Sequence, residues 1–320
     1  MLNPLNLSII IPLLNEEESL PELYSRIHKV CTDSQFSYEV WFVDDGSTDK
    51  SWQIIENLSK ENTHVHGIKF SKNYGKSQAL HAAFEKVQGD VVITMDADLQ
   101  DFPEEIPELY HKLKSENLDI VSGWKKKRFD NVMTKNLPSK LFNAAARKVS
   151  GVYLHDFNCG LKAYRKQVVK TVDVYGDMHR YIPVLAANAG FRKITEKEVQ
   201  HQARPYGTSK FGTERFVRGF LDLITLWFVS RFGGRPMHFF GAVGTLMFIF
   251  GFFSALWLGI SKLIDVYHGI YGHLIADNPW FFIALTMMIL GTLLFIAGFL
   301  GEMIIRTNRE HKNYSIEEVI

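Results

Sequence analysis

Cysteine is scarce. The 320 residues contain two, Cys31 and Cys159, far apart in the chain. They offer no metal-ligand spacing and no disulfide framework, and read as reduced core thiols. An excess of either charge is also lacking. Thirty-six Lys and Arg face 35 Asp and Glu, so no basic field invites nucleic acid, which is not expected as a partner. The N-terminus has no basic segment, apolar core and small-residue cleavage site in series, so no signal peptide is read there. Internal repeats and low-complexity segments are likewise missing.

Charge disappears altogether from two stretches, 239–260 and 279–301. Each exceeds the roughly 20 residues a helix needs to cross a bilayer. With no charge inside either run, an ion pathway or a self-sufficient flippase is disfavoured, as is a transporter subunit. Glu302 falls at the end of the second run and reads as interfacial. The connection 265–278 has no Lys or Arg, whereas Arg215, Arg218, Arg231 and Arg235 precede the first run and Arg306, Arg309 and Lys312 follow the second. The positive-inside rule then puts both termini and the N-terminal domain on the cytoplasmic side of an inner or plasma membrane. In 213–232, Phe216, Phe220, Leu223, Trp227 and Phe228 share one face beside Arg215 and Arg218, the pattern of a helix lying on a membrane surface. Gly233-Gly234-Arg235-Pro236 reads as a hinge. The expected organisation is a catalytic domain over 1–212, a juxtamembrane helix and hinge over 213–236, a transmembrane hairpin over 237–305 and a cytoplasmic tail over 306–320.

What is present in the first 212 residues is an alternation of strands and helices. Strands are predicted over 7–12, 39–43, 65–70, 91–95 and 120–122. Helices are predicted over 16–30, after Ser47 or Asp49, over 77–87, and from Pro103. The expected fold is α/β, a Rossmann-like, doubly wound, mostly parallel sheet with ligands at the carboxyl ends of its strands. Three polar segments fall at that edge. Asp96-Ala97-Asp98-Leu99-Gln100 follows a buried strand, and two carboxylates at i and i+2 can converge on one Mg²⁺ or Mn²⁺, with Gln100 adding a neutral oxygen. Val43-Asp44-Asp45-Gly46-Ser47-Thr48-Asp49 ends a second strand, where a carboxylate can accept hydrogen bonds from ribose hydroxyls or a base edge. Pro12-Leu13-Leu14-Asn15-Glu16 ends the first.

These segments resemble the signature of glycosyltransferase family 2, with its GT-A type fold. More closely, the chain resembles the polyprenyl-phosphate glycosyltransferases, the dolichyl-phosphate mannose synthases and bactoprenol glucosyltransferases. Asn73-Tyr74-Gly75-Lys76, the stretch from Asp156-Phe157-Asn158-Cys159-Gly160 to Arg165, and Tyr206-Gly207-Thr208-Ser209-Lys210-Phe211 support it, and the likeness covers nearly the whole chain. The resemblance implies inverting transfer of a hexose from a nucleotide-diphosphate sugar to undecaprenyl or another polyprenyl phosphate. UDP-glucose is the first expectation, while UDP-N-acetylhexosamine, UDP-galactose, a 4-amino-arabinose donor and GDP-mannose stay open.

Carried over position by position, Pro12, Leu13, Asn15, Glu16 and Asp44 line the nucleotide, with Asp45 supporting their loop. Asp96 and Ala97 contact the nucleotide, and Asp98 and Gln100 hold the metal. Lys125 and Arg128 stand nearest the family's donor-binding arginine. Arg204 and Lys210 bind phosphate of donor or acceptor, and Arg180 meets the lipid phosphate. Asp156 is the candidate catalytic carboxylate, with His155 and His179 as titratable neighbours. The family also suggests a homotetramer, for which Gly241, Gly244, Gly291, Gly298 and Gly301 permit close helix approach. Two rival readings are a processive polysaccharide synthase, whose Gln-x-x-Arg-Trp segment is missing here, and a non-catalytic nucleotide-sugar-binding membrane scaffold.

Overall fold

The structure, a computed structural model, describes residues 5–126, 147, 150–174, 176, 178–203, 205–206, 225, 227–228, 231–232, 235–270, 272, 274–307 and 316–320. The chain divides into two compact units, Met1–Ser230 with Lys312–Ile320, and Arg231–His311.

The first unit is built on one eight-stranded sheet. Its strands are β1 (Leu7–Leu13), β2 (Tyr38–Asp44), β3 (Val65–Phe70), β4 (Val91–Thr94), β5 (Ile120–Trp124), β6 (Lys162–Arg165), β7 (Ile194–Glu198) and β8 (Ile316–Val319), in the order β7-β5-β6-β4-β1-β2-β3-β8. The central strands β4, β1, β2 and β3 are parallel, as their long buried apolar runs require. β6 runs antiparallel to both β4 and β5. The chain enters β6 at the edge where β4 finishes, with Lys162 opposite Thr94, so it can only run back. The sheet is therefore mixed rather than simply doubly wound.

Alternation along each strand sends side chains to two cores. Leu7, Ile9, Ile11, Val40 and Phe42 pack with helices α1 (Leu20–Asp33), α2 (Ser51–Glu61) and α4 (Ile106–Ser115). Ile10, Trp41, Val43 and Val92 face α3 (Lys76–Lys86), α5 (Lys166–Thr171) and α6 (Ile182–Asn188). The helices after β1 and β2 thus lie on one face and the helix after β3 on the other. The winding reverses at β1, which lies between β4 and β2. This is the switch point where an open α/β sheet leaves a crevice for ligand.

Two predicted helix starts move. The helix expected from residue 16 begins at Leu20, because Asn15 adopts a left-handed φ of 54° and the Glu16 N–H is taken by Ser51 Oγ at 3.0 Å. Pro103 opens a 3₁₀ turn (Pro103–Glu105) that leads into α4. Both cysteines are buried and unpaired, and burial pushes each thiol up to about 12, which leaves them inert packing groups.

The expected tail from residue 306 is not merely a tail. Residues Ile316–Val319 form β8, which pairs antiparallel with β3. The second unit is a pair of helices, α7 (Pro236–Tyr267) and α8 (Pro279–Thr307). Both are long and apolar enough to cross a membrane, and most of their surface is exposed. The helices meet through small residues. A Cβ on Gly244 would run into Gly291 O, and one on Gly251 into Ala284 O. Most of the proposed surface helix over 213–232 lies outside the described residues.

Candidate active site

Three loops converge at the carboxyl edge of β1, β2 and β4. Register alone brings two together, since Leu13 pairs with Asp44 and the Asp45 N–H donates to Leu13 O at 2.9 Å. The β1 and β2 loops are then laced by side chains. Ser47 Oγ accepts from Asn15 N at 2.9 Å, and Asn15 Oδ1 accepts from Thr48 N at 2.8 Å.

Asp44 is fully buried. Its Oδ1 accepts the Ser47 N–H at 2.7 Å, and its Oδ2 has no hydrogen-bond partner among the described residues. Burial raises its pKa against the pull of the Ser47 hydrogen bonds. Asp45 ties this loop to the one that follows β3. Its carboxylate accepts Tyr74 N at 2.7 Å and Gly75 N at 2.9 Å. Gly46, at φ 79°, lies so close to the Lys72–Asn73 backbone that a Cβ would clash. Gly75 in turn starts α3, whose first residue, Lys76, reaches across to form an ion pair with Asp96. The Asn73-Tyr74-Gly75-Lys76 motif is thus a strut from the β2 loop to the β4 loop.

Burial alone would raise the Asp96 pKa, but the charges of Lys76 and Lys125 outweigh it and hold the carboxyl down at about 2. Asp96 stays ionised across the physiological range. Gly160 packs directly on its carboxylate and leaves no room for a Cβ. Asp98 Oδ1 accepts Gln100 N at 3.2 Å. Leu99 between them takes a left-handed φ of 57°, unusual for a leucine. The loop is pinned by Gln202, whose Nε2 donates to Leu99 O at 2.6 Å and whose N donates to Gln100 O at 3.2 Å. Asp96, Asp98 and Gln100 present only oxygen donors, which fits a hard divalent cation. Among the described residues no three His, Cys, Asp or Glu side chains could hold a metal ion together. Such an ion would complete its shell with substrate phosphate oxygens and water, the usual habit of Mg²⁺.

Several expected residues land elsewhere. The side chains of Leu13 and Ala97 are in the core, so only their backbone groups can face a nucleotide. Lys125 is the clear correction. Its ammonium lies 2.6 Å from the fully buried Asp101 carboxylate, and it is held protonated because Asp101, Cys159 and Asp96 together outweigh burial. That pairing makes it a brace between β5 and the acidic loop rather than a free donor-binding cation. Asp156 is 2% exposed, with Oδ1 accepting Asn158 N at 3.0 Å, the placement of a turn brace. Arg180 and His179 do line the cleft, together with Pro12, Asp96 and Asn158. His155 sits apart, stacked on Trp124 and bonded to Glu196. Arg128, Arg204 and Lys210 lie outside the described residues.

Sequence reasoning missed Lys76, Ser77 and Lys162 as parts of the site. Lys76 carried a signal, since a cation at a helix N-terminus opposes the macrodipole and calls for an acidic partner. Lys162 carried a weaker one, a lysine inside an apolar strand. It is 3% exposed, and its ammonium is tied to the Phe157 and Cys159 carbonyls.

The mixed sheet with its parallel centre, its switch point and the Asp-x-Asp loop at the strand ends define a glycosyltransferase with a GT-A type fold. The chain belongs to glycosyl transferase family 2, whose family model matches residues 8–173. It is 32% identical to the dodecaprenyl-phosphate galacturonate synthase of Rhizobium johnstonii, over 98% of this chain and 93% of that protein. It is 35% identical to the undecaprenyl-phosphate 4-deoxy-4-formamido-L-arabinose transferase of Proteus mirabilis, again over 98% of this chain and 93% of the relative. Among solved structures, glucosyl-3-phosphoglycerate synthase from Mycobacterium tuberculosis in complex with UDP shares the fold. The TM-score is 0.54 at 18% identity, covering 70% of this chain and 79% of that one.

Proposed function

We propose that this glycosyltransferase moves a sugar from a nucleotide-diphosphate donor to a polyprenyl phosphate held in a bilayer, and that it uses Mg²⁺ or Mn²⁺. The observation that carries this reading is the convergence of Asp44, with a buried carboxylate oxygen awaiting a donor, and Asp96-Ala97-Asp98 at one sheet edge. The relatives named above act on dodecaprenyl and undecaprenyl phosphate, and a structural neighbour was solved with Mn²⁺ and UDP. The two helices, each carrying an uncharged apolar run long enough to span a bilayer, give a reason for the lipid acceptor. An acceptor confined to the bilayer requires an enzyme at the interface, with the N-terminal domain and both termini on the cytoplasmic side.

In this reading Asp44 Oδ2 accepts from the base or ribose, while Asn15 and Glu16 form the wall around it. A divalent cation, when bound by Asp98, Gln100 and the donor phosphates, would supply positive charge against the leaving diphosphate. The acceptor is a phosphate monoester whose second pKa is near 6 by analogy with phosphorylated side chains, so it is mostly dianionic at neutral pH and needs little help from a general base. The larger task is to bring two anions together. Arg180 at the cleft, with Arg204 and Lys210, would offset that repulsion. Asp156, which accepts the Asn158 N–H, is the carboxylate of this wall that would orient the acceptor phosphate or take a residual proton. The relatives handle galacturonate and a formamido-arabinose, so the glucose expected from the sequence gains no support from them, and the sugar is best named by assay.

The test is transfer of radiolabelled sugar from a panel of UDP- and GDP-sugars to undecaprenyl phosphate, with Mg²⁺ or Mn²⁺ and Asp98→Ala as control. Metal-dependent transfer that falls about 100-fold or more in the variant is expected. Undiminished transfer by Asp98→Ala would remove the acidic loop from the reaction.

A further inference from the structure

Behind Asp96 the cleft continues toward a turn, Asn158-Cys159-Gly160, and a short 3₁₀ segment, Met178–Tyr181. Two of its three cations are engaged within the wall, and the third, Arg180, is the one assigned above to the acceptor phosphate. Lys76 is paired with Asp96, and Lys162 is held by the Phe157 and Cys159 carbonyls. Two neutral groups remain in the wall. Asn158 uses its main-chain N–H on Asp156, but its side-chain Oδ1 is buried and has no hydrogen-bond partner among the described residues. An acceptor left in this state is a cost to the fold unless a ligand supplies the missing donor.

His179 is held at its Nδ1 end. Its backbone N–H donates to Ser77 Oγ at 3.0 Å, and its ring Nδ1 lies 3.1 Å from the same oxygen. The hydroxyl receives one proton from the backbone and has its own proton to give to Nδ1, which leaves the ring proton on Nε2. Burial, reinforced by the charges of Lys76 and Arg180, pushes the ring well below its usual pKa, so it is neutral.

One neutral donor and one neutral acceptor are the complement of a hydroxyl, which both accepts and donates. A phosphate dianion has no proton to give Asn158, so the acceptor phosphate is the poorer occupant. We propose that His179 and Asn158 form the subsite that reads a hydroxyl of the donor sugar, His179 donating through Nε2–H and Asn158 accepting through Oδ1. This deepens the proposed function and rests on its nucleotide-sugar donor. It also gives the site a means of selection. A site built to hydrogen-bond a substrate hydroxyl rejects the analogue lacking it far better than a pocket that merely accommodates it. Ser77 is a positioning residue, acting through the ring it holds.

The test is calorimetric binding of UDP, GDP and their glucose, galactose, galacturonate, N-acetylglucosamine and mannose conjugates to the full-length protein in detergent with Mn²⁺. Wild type is compared with His179→Ala, His179→Gln, Asn158→Ala and Ser77→Ala. The readout is the Kd of the bare nucleotide divided by that of its sugar conjugate, in which any loss of nucleotide binding cancels. For the preferred sugar this ratio is expected to fall about tenfold in His179→Ala and in Asn158→Ala, with the bare-nucleotide Kd unchanged as proof of an intact fold. Gln carries an amide N–H near the Nε2 position and should recover part of the loss, and Ser77→Ala should show a smaller loss in the same direction. Ratios that are the same in wild type and all variants overturn the subsite, even where transfer to prenyl phosphate is intact. Failure of the wild type to bind any nucleotide or nucleotide sugar overturns the proposed function and the subsite together.

Discussion

Asp44 is fully buried at the end of β2, and one of its two oxygens has no partner among the described residues. A carboxylate in that position is a cost to the fold unless something binds it. The sign follows from its raised pKa. A folded-state pKa above the unfolded value means ionisation is disfavoured in the native state. The penalty is complete above the folded pKa and is relieved as pH falls through it toward the unfolded value. Asp44→Asn keeps an oxygen for Ser47 N and removes the charge. We expect its thermal midpoint at pH 7 to equal or exceed that of the parent while UDP affinity drops about tenfold or more, measured by scanning fluorimetry and calorimetry on the same sample. The carboxylates at this edge were legible as a set because each follows an apolar strand. Their lysine partners were not, since Lys76 and Lys162 find Asp96 and the 157–159 carbonyls through tertiary approach, not spacing. Lys125 shows the reverse error. The resemblance put Lys125 nearest a donor-binding arginine, and the fold pairs it with Asp101.

At the scale of elements, the strands read well and the helix starts less so. Mainly apolar runs, buried at nearly every position, located β1, β2 and β4 to within a residue or two. The start of α1 slipped by a turn because loop hydrogen bonds to Ser47 and Ser51 claimed the amides that a helix would have used. In the hairpin, Gly244 and Gly251 on α7 oppose Gly291 and Ala284 on α8, each pair seven residues apart. Such spacing keeps the small residues on one seam, where backbones can touch. Gly244→Leu would drive a side chain into Gly291 O and the Phe295 N–H. Separation of the two helices is expected, seen as a thermal midpoint in detergent lowered by about 5 °C or more and as faster proteolysis of the 265–278 connection. Gly259, with open space around it, serves as the control, and its replacement by Leu should leave both readouts unchanged.

For the whole molecule, the return of the chain to the sheet is the least expected feature. β8 covers the edge of β3, exchanges both hydrogen bonds between Ile320 and Gly67 at 3.1 Å, and brings Glu318 to Trp52 Nε1 at 3.1 Å. Deleting residues 316–320 would expose β3 as an open edge. We expect a midpoint lower by about 5 °C or more and concentration-dependent aggregation by light scattering, with membrane association retained. Equal stability of the truncated chain would count against a clamping role for β8. The sequence by itself determined the class of the protein. Apolar periodicity fixes where strands and membrane-length helices can form, and acidic residues at strand ends fix where ligand chemistry can occur, because both depend on neighbours in the chain. Tertiary structure alone decided the sense of β6, the partner of β3, which lysines are braces, and the meeting of Ser77, Asn158 and His179 beside Asp96. Those outcomes depend on contacts between residues far apart in the chain, 266 positions for Trp52 with Glu318, and no local pattern encodes such distances.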